Sequence, residues 1–371
     1  VKIAIQAADL DSSRIDGTRV YIQNLLKNFG KINSTDEFLI YHKNEFNPEL
    51  APPIFSNYQI KQKSWPFFWT QIRFAWEIWQ DRPDVLWMPI QALPLFRRNR
   101  LKTAITIHDL AFKYFPRDFE RKDFYKIDSF SDYAIRHSDK IIAISQSTKK
   151  DILKFYPEIK AKKIRVIYHG FNQEIFAKER NLAEEQKLKD KLEIKGDYIL
   201  YTGAIQPRKN LGIFIEAFDS LKKSGAFSGQ LVLAGEKAWL SEKIVQKAKN
   251  SHFSQDIKML GKVKFGDLGV LYRGASVFAF PSLYEGFGLP ILEAFASRIP
   301  VVCAPNSSLP EVAGDAALYF ENNNTQDLAQ KIQQVLENPE LKNSLIEKGC
   351  LQLEKFSWEK CAQETLEFLK N

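Results

Sequence analysis

Cysteine is scarce in this sequence: Cys303, Cys350 and Cys361 are the only three in 371 residues. Their odd number and the lack of metal-ligand spacing exclude a disulfide framework or a zinc module, and point to reduced thiols in a reducing compartment. Long apolar runs are also missing. The most apolar long stretch, Trp65 to Trp79, is interrupted by Gln71, Arg73 and Glu77, and falls short of the ~20 residues a membrane span needs. The first eight residues alternate apolar with polar and carry no basic leader, so no export signal is expected. Neither charge nor apolar content is extreme. With 44% hydrophobic and 26% charged residues the chain is globular rather than disordered. Its net charge of +8 is compatible with an anionic substrate, a membrane surface or a lysine-rich solvated exterior, and selects none of them. A cytoplasmic protein is expected, with a peripheral position at the inner face of the membrane left open.

What is present is a repeating pattern of short β-branched or aromatic runs followed by amphipathic stretches. Strands are predicted at 2–8, 38–42, 58–62, 84–89, 102–109, 140–145 and 164–170, then at 198–204, 230–236, 257–263, 276–282, 300–305 and 316–320. Helices are predicted between them, among others at 18–29, 122–137, 211–222 and 325–337. Alternation of this kind specifies an α/β fold with mainly parallel, doubly wound sheets. Two series imply two Rossmann-like domains, 1–176 and 196–355, joined by a charged linker at 177–195. A ligand cleft is expected between them, at the carboxyl ends of the strands. Ser357 is placed to cap a last helix, 356–371.

The most informative segment is Phe280-Pro-Ser-Leu-Tyr-Glu-Gly-Phe-Gly-Leu-Pro-Ile-Leu-Glu293. A strand ends at Phe280, a glycine-bearing loop follows, and Pro290 suits the first turn of a helix. Gly286, Phe287 and Gly288 can therefore offer amides to a diphosphate at a helix start. Glu285 stands before that helix and Glu293 is expected within its first turn, each able to accept hydrogen bonds from sugar hydroxyls. Either feature alone is as readily a tight turn or a dipole-complementing acid; the combination and spacing favour a ligand.

Glu285 and Glu293, with seven residues between them, resemble the E-x7-E motif of the family 4 retaining glycosyltransferases, and Glu-Gly-Phe-Gly-Leu289-Pro is similar to its usual form. The resemblance extends along the chain through Tyr201-Thr-Gly203-Ala-Ile-Gln-Pro-Arg208-Lys209-Asn210, Leu231-Val-Leu-Ala-Gly235, Leu260-Gly-Lys-Val263, Leu271-Tyr-Arg-Gly-Ala275, Ser308-Leu-Pro-Glu-Val-Ala-Gly314, His108-Asp109 and Val166-Ile-Tyr-His-Gly170. It implies the GT-B fold, two Rossmann-like domains across a cleft, with the helix 356–371 returning to the first. It also implies a nucleotide-sugar co-substrate and no other cofactor. Arg208 and Lys209 would neutralise the leaving diphosphate, Arg as a bidentate donor and Lys as a point charge. Glu285 would hold the transferred sugar, Glu293 the ribose and the Val263 backbone the base, with Gly203, Gly286, Phe287, Gly288 and Leu289 around the phosphates. His108 would contact the donor sugar, with Asp109 beside it. Gly17, in Asp16-Gly-Thr-Arg19, matches a glycine-rich loop that closes over the diphosphate; a second adjacent glycine is missing and Arg19 adds a cation there.

A metal is not expected: Asp9-Leu-Asp11 has the spacing of a metal motif, but two acids around a turn are common. The Gln-Pro-Arg-Lys-Asn and Ser-Ser-Leu-Pro-Glu-Val-Ala-Gly versions look most like mannosyltransferases that use GDP-mannose. UDP-glucose and UDP-N-acetylglucosamine remain rivals, as does a GT-B epimerase. A non-enzymatic basic protein that binds membrane or polyanion would leave the paired glutamates unexplained, and no nucleic-acid partner is expected. For the acceptor, a saccharide or lipid-linked saccharide, the aromatic residues Trp65 to Trp79 draw notice. Trp69, Trp76 and Trp79 fall near helical spacing and read as core. Trp65, Phe67 and Phe68 read as an exposed loop facing an acceptor or an anionic membrane, with Arg97, Arg98, Arg100 and Lys102 following in sequence.

Overall fold

Thirteen strands build the sheets; the central ones are near-continuous apolar runs buried on both faces, the condition for a parallel sheet covered by helices, whereas the edge strand Tyr58–Gln62 is largely exposed. Seven of the thirteen, β1 (Lys2–Gln6), β2 (Glu37–His42), β3 (Tyr58–Gln62), β4 (Val85–Met88), β5 (Lys102–Ile107), β6 (Lys140–Ala143) and β7 (Ile164–Val166), pair in the order β3-β2-β1-β4-β5-β6-β7. Six more, β8 (Tyr198–Thr202), β9 (Gln230–Ala234), β10 (Ile257–Gly261), β11 (Val277–Phe280), β12 (Val301–Cys303) and β13 (Ala317–Tyr319), pair in the order β10-β9-β8-β11-β12-β13. All these pairings are parallel. The computed structural model describes residues 1–371, in two units. One comprises Val1–Tyr114, Glu120–Gly170 and Phe356–Asn371, the other Phe115–Phe119 and Phe171–Lys355.

Each strand lies where the sequence places one, but most end earlier. Residues 7–8, 203–204 and 281–282 leave their sheets to begin the loops that carry the chemistry. The stretch 177–195 differs more. It is not a linker: Asn181 caps the helix Leu182–Leu192, accepting from the amides of Ala183 and Glu184 at 3.1 and 3.2 Å. Glu185 is buried against Arg180 (2.9 Å), and Lys191 reaches Asp267 at 2.9 Å on a neighbouring helix of the second unit. The division between units falls earlier, at Gly170 and Phe171. The terminal helix Trp358–Lys370, capped by Ser357, groups with the first unit and packs on the helix Gly17–Ile32. A Cβ at Gly170 would lie 2.1 Å from the Trp358 amide nitrogen, so only glycine permits that approach.

The aromatic segment also departs from expectation. Trp69, Phe74 and Trp87 are buried, whereas Trp76 and Trp79 are exposed by 57% and 51%. The cause is one wide turn. Over Thr70–Phe74 the amide of Phe74 bonds the carbonyl of Trp69, five residues back, before the α-helix Ala75–Asp81 resumes. That extra residue rotates the later tryptophans off the face that Trp69 and Phe74 share.

Candidate active site

In a doubly wound sheet the strand order reverses at one point, and the loops leaving the two strands there diverge into a crevice. In the second unit these strands are β8 and β11. The loop after β8 carries Arg208 and Lys209 on the single turn Pro207–Lys209, and the loop after β11 carries Glu285. The two loops are tied together by the Leu283 amide, which donates to the Arg208 carbonyl at 2.9 Å. Lys209 donates to one Glu285 oxygen; Arg208 stands 3.6 Å from the other and donates to the Tyr284 carbonyl. All three side chains are largely buried. Burial alone would push the Glu285 carboxyl up, but the Lys209 and Arg208 charges outweigh it and hold the group below the usual carboxylate range.

The glycine loop is fixed from behind. Ser308 Oγ lies 2.9 and 2.6 Å from the carbonyl oxygens of Glu285 and Phe287, and the Glu285 amide donates to Ser307 Oγ at 2.8 Å. Gly286 and Phe287 are buried, and Gly288, at φ +118°, caps the helix Leu289–Ala296 in a conformation that favours glycine. Pro290 is the second residue of that helix, as the sequence suggests. Glu293 is its fifth residue and so lies in the second turn, not the first. There it accepts a hydrogen bond from Tyr272 Oη at 2.8 Å, and Tyr272 is 2.5 Å from Thr202 Oγ1 at the end of β8. Burial pushes the Glu293 carboxyl up to about 7, with the Tyr272 hydrogen bond opposing.

Beneath the loops, three neighbouring strands end in glycines at positive φ: Gly203 (+137°), Gly235 (+154°) and Gly261 (+66°). A Cβ on Gly235 would lie 1.9 Å from the Gly203 carbonyl oxygen, so main chain meets main chain here. Val263, two residues beyond Gly261, is partly exposed, as is Leu289. Tyr272, Thr202, Ser307 and Ser308 are site residues to which the sequence reading gives no role. All four lie inside motifs it does quote.

In the first unit His108 follows β5. Its Nε2 lies 2.8 Å from the Pro89 carbonyl, which only accepts, so the proton sits on Nε2 and Nδ1 keeps its lone pair. Tyr21 (5.1 Å) and His169 (5.9 Å) pack against the ring, and burial holds the imidazole below its ordinary range. A neutral His108 can receive a hydroxyl proton in a hydrogen bond but offers no cation to a phosphate. Asp109 is engaged locally, accepting from the Ala111 amide at 2.9 Å to start a short helix. Gly17 opens the helix Gly17–Ile32 behind its cap Asp16. Arg19 is not a free phosphate ligand. Its guanidinium bonds Asp16 (2.5 Å) and the Asp9 carbonyl (3.1 Å), because the two acids crowd the same helix start. Asp9 and Asp11 do not share a ligand position either: Asp11 accepts from the amides of Lys43 and Asn44 and meets His42.

Of the aromatic loop, Phe67 and Phe68 are exposed by 61% and 69%, and Trp65 is partly buried against Phe67.

Comparison with known proteins agrees with this arrangement. The family described as Glycosyltransferase Family 4 matches residues 15–175, and Glycosyl transferases group 1 matches residues 183–351. The O-antigen chain mannosyltransferase B of Escherichia coli is 30% identical over 304 residues, 80% of this chain and 77% of that protein. The O-antigen chain mannosyltransferase RfbU of Salmonella typhimurium is 26% identical, over 67% of this chain and 64% of that protein. Anabaena HepE, crystallised with UDP and glucose, superposes with a TM-score of 0.76 at 16% identity, covering 100% of this chain and 99% of that one. That likeness gives the fold, which is GT-B. The extent of the first match gives the family: the chain belongs to the family 4 glycosyltransferases.

Proposed function

We propose that this glycosyltransferase moves mannose from GDP-mannose to a saccharide or lipid-linked saccharide, with retention at the anomeric carbon, during the synthesis of a cell-surface glycan. The observation that carries the reading is the clamp of Arg208 and Lys209 on Glu285, set at the strand-order reversal beside a glycine loop and a helix start. Two cations and loop amides there stabilise the negative charge that develops on a departing diphosphate. As the bond between the sugar carbon and the phosphate oxygen breaks, the acceptor oxygen bonds that carbon from the same face and its proton passes to the phosphate. Glu285 orients sugar hydroxyls, Glu293 the ribose, the Val263 backbone the base, and neutral His108 accepts from a sugar hydroxyl. The reaction needs no metal and no cofactor beyond the nucleotide sugar; Asp9 and Asp11, each engaged with its own protein partners, fit that view. Mannose rests on the two bacterial relatives named mannosyltransferases. The enzyme is placed in the cytoplasm, at or near the inner face of the membrane.

The test is a thermal-shift panel of GDP, UDP and ADP sugars without added metal. A ligand at ~100 times its dissociation constant adds roughly 2.7 kcal/mol to the folded state. Stabilisation by GDP species, followed by a product with the donor's anomeric configuration, is the expected result. Stabilisation by UDP species alone overturns the donor, and an inverted product overturns the mechanism.

A further inference from the structure

Thr202, Tyr272 and Glu293 lie on three different elements, the end of β8, the helix Phe265–Arg273 and the helix Leu289–Ala296. Their side chains form one line of hydrogen bonds. Tyr272 is fully buried, with its ring against Phe176 (5.5 Å) and Phe278 (5.3 Å). A ring packed on two sides holds its hydroxyl in one place. That hydroxyl is 2.8 Å from Glu293 Oε2 and 2.5 Å from Thr202 Oγ1.

The donor inventory fixes the direction of both bonds. A carboxylate only accepts, so the single Tyr272 proton points at Glu293. Tyr272 then has only lone pairs to offer Thr202, whose own proton must point at the phenol. Glu293 Oε2 is thereby engaged within the protein, and Oε1 has no protein partner and remains for a ligand hydroxyl. Nothing else steers this carboxylate. Arg273, next to Tyr272, donates to the Ile175 carbonyl at 3.0 Å. Glu174, Glu311, Glu347, Lys348 and the Cys303 thiol stand on other elements packed against its helix and do not act on it. Burial pushes the Glu293 carboxyl up, and the Tyr272 hydroxyl is the one group that opposes.

We propose that Tyr272, held in turn by Thr202, is the positioning residue that aims the free Glu293 oxygen at the ribose diol of a nucleoside diphosphate. Ribose is then read through a side chain that never touches it. The inference rests on the proposed ribose role of Glu293 and deepens it. Loss of the phenol hydroxyl has two consequences: the carboxylate is free to turn, and it ionises at higher pH, because a hydrogen bond to its charged form is gone.

The test is calorimetric titration of the whole chain with GDP and with 2′,3′-dideoxy-GDP, and in parallel with the corresponding UDP pair, from about pH 6 to about pH 8.5, a range that brackets the group's value of about 7. Tyr272→Phe keeps the packed ring and should fold, which its thermal midpoint checks. It should weaken the ribonucleotide about tenfold at neutral pH, the scale of one hydrogen bond, and leave the dideoxy compound unchanged. The ratio of wild-type to variant affinity should peak near neutral pH and fall on the alkaline side, where the variant's carboxyl ionises too. Thr202→Val should give a smaller loss of the same kind, and Thr202→Ser should restore the wild-type profile. A damaged site would instead weaken both nucleotides equally and at every pH. Equal losses for both nucleotides, a ratio that does not vary with pH, or undiminished binding by Tyr272→Phe overturns the proposal and leaves the proposed reaction standing. Wild-type chain that binds neither pair, or does not distinguish ribose from dideoxyribose, overturns the ribose role of Glu293 and this inference with it.

Discussion

The ammonium of Lys209 is hydrogen-bonded to the carboxylate of Glu285, 76 residues further along the chain. Strand pairing, not proximity in sequence, makes them neighbours: β8 and β11 lie side by side, and their loops deliver one group each. In the proposed reaction a diphosphate that draws on Lys209 would share it with Glu285, which would couple phosphate binding to sugar orientation through a single cation.

Breaking that pair should separate chemistry from folding. Glu285→Gln keeps the shape and removes the charge, and is expected to lower kcat by about a hundredfold or more, the scale of losing one preorganised electrostatic group. Lys209→Ala leaves a buried carboxylate with Arg208 alone and is expected to cost about 3 kcal/mol of stability as well. Steady-state turnover and urea unfolding on the two variants distinguish them; wild-type turnover by Glu285→Gln would remove Glu285 from the site.

Glu293 predicts a pH dependence of defined sign. Its carboxyl is raised from 4.5 to about 7 in the folded chain, so the folded state holds this proton more tightly than the unfolded one. Its contribution is therefore most favourable below about pH 4.5, declines as pH rises to about 7, and stays low above. The full shift corresponds to about 3 kcal/mol. Glu293→Gln should remove this decline, so that the variant gains on the wild type as pH rises through that window. Parallel urea midpoints for both proteins across the window would sink the assignment.

Arg19→Ala tests the helix start. Because its guanidinium is committed to the Asp16 carboxylate and the Asp9 carbonyl, the variant should lose about 1–2 kcal/mol of stability, the scale of one hydrogen bond to a charged group. Nucleotide affinity by calorimetry should not change. A tenfold loss of affinity with stability intact would restore Arg19 as a phosphate ligand.

Gly235→Ala should be severe without touching any side chain of the site. Its φ of +154° and the 1.9 Å approach of the Gly203 carbonyl leave no room for Cβ, and a loss of about 3 kcal/mol or more, read by thermal unfolding, is expected. An unchanged midpoint would mean that the strand ends yield.

Much of this was legible in the sequence because parallel sheets are written in local code. Runs such as Val277–Phe280 are apolar at every position, and Pro290 and Ser357 mark helix starts without knowledge of the rest. Arg208, Lys209 and Glu285 were legible through the resemblance of their motifs to the family's, without their contact with one another. What could not be read depended on single events. One five-residue turn at Thr70–Phe74 changed which tryptophans face out, and no periodicity argument registers such an insertion. Arg19 looked available because its acids, Asp9 and Asp16, are brought to it by a turn and a cap. The Tyr272 contact with Glu293 was hidden because the two residues lie on different helices, 21 positions apart.

The glycines at the ends of β8 and β9 carry one more implication. Where Gly203 and Gly235 touch through bare backbone, mutation has no side chain to rewrite, and adding one breaks the contact. A change in what this end of the sheet binds would have to come from the side chains around that contact, because the contact itself has no room for one.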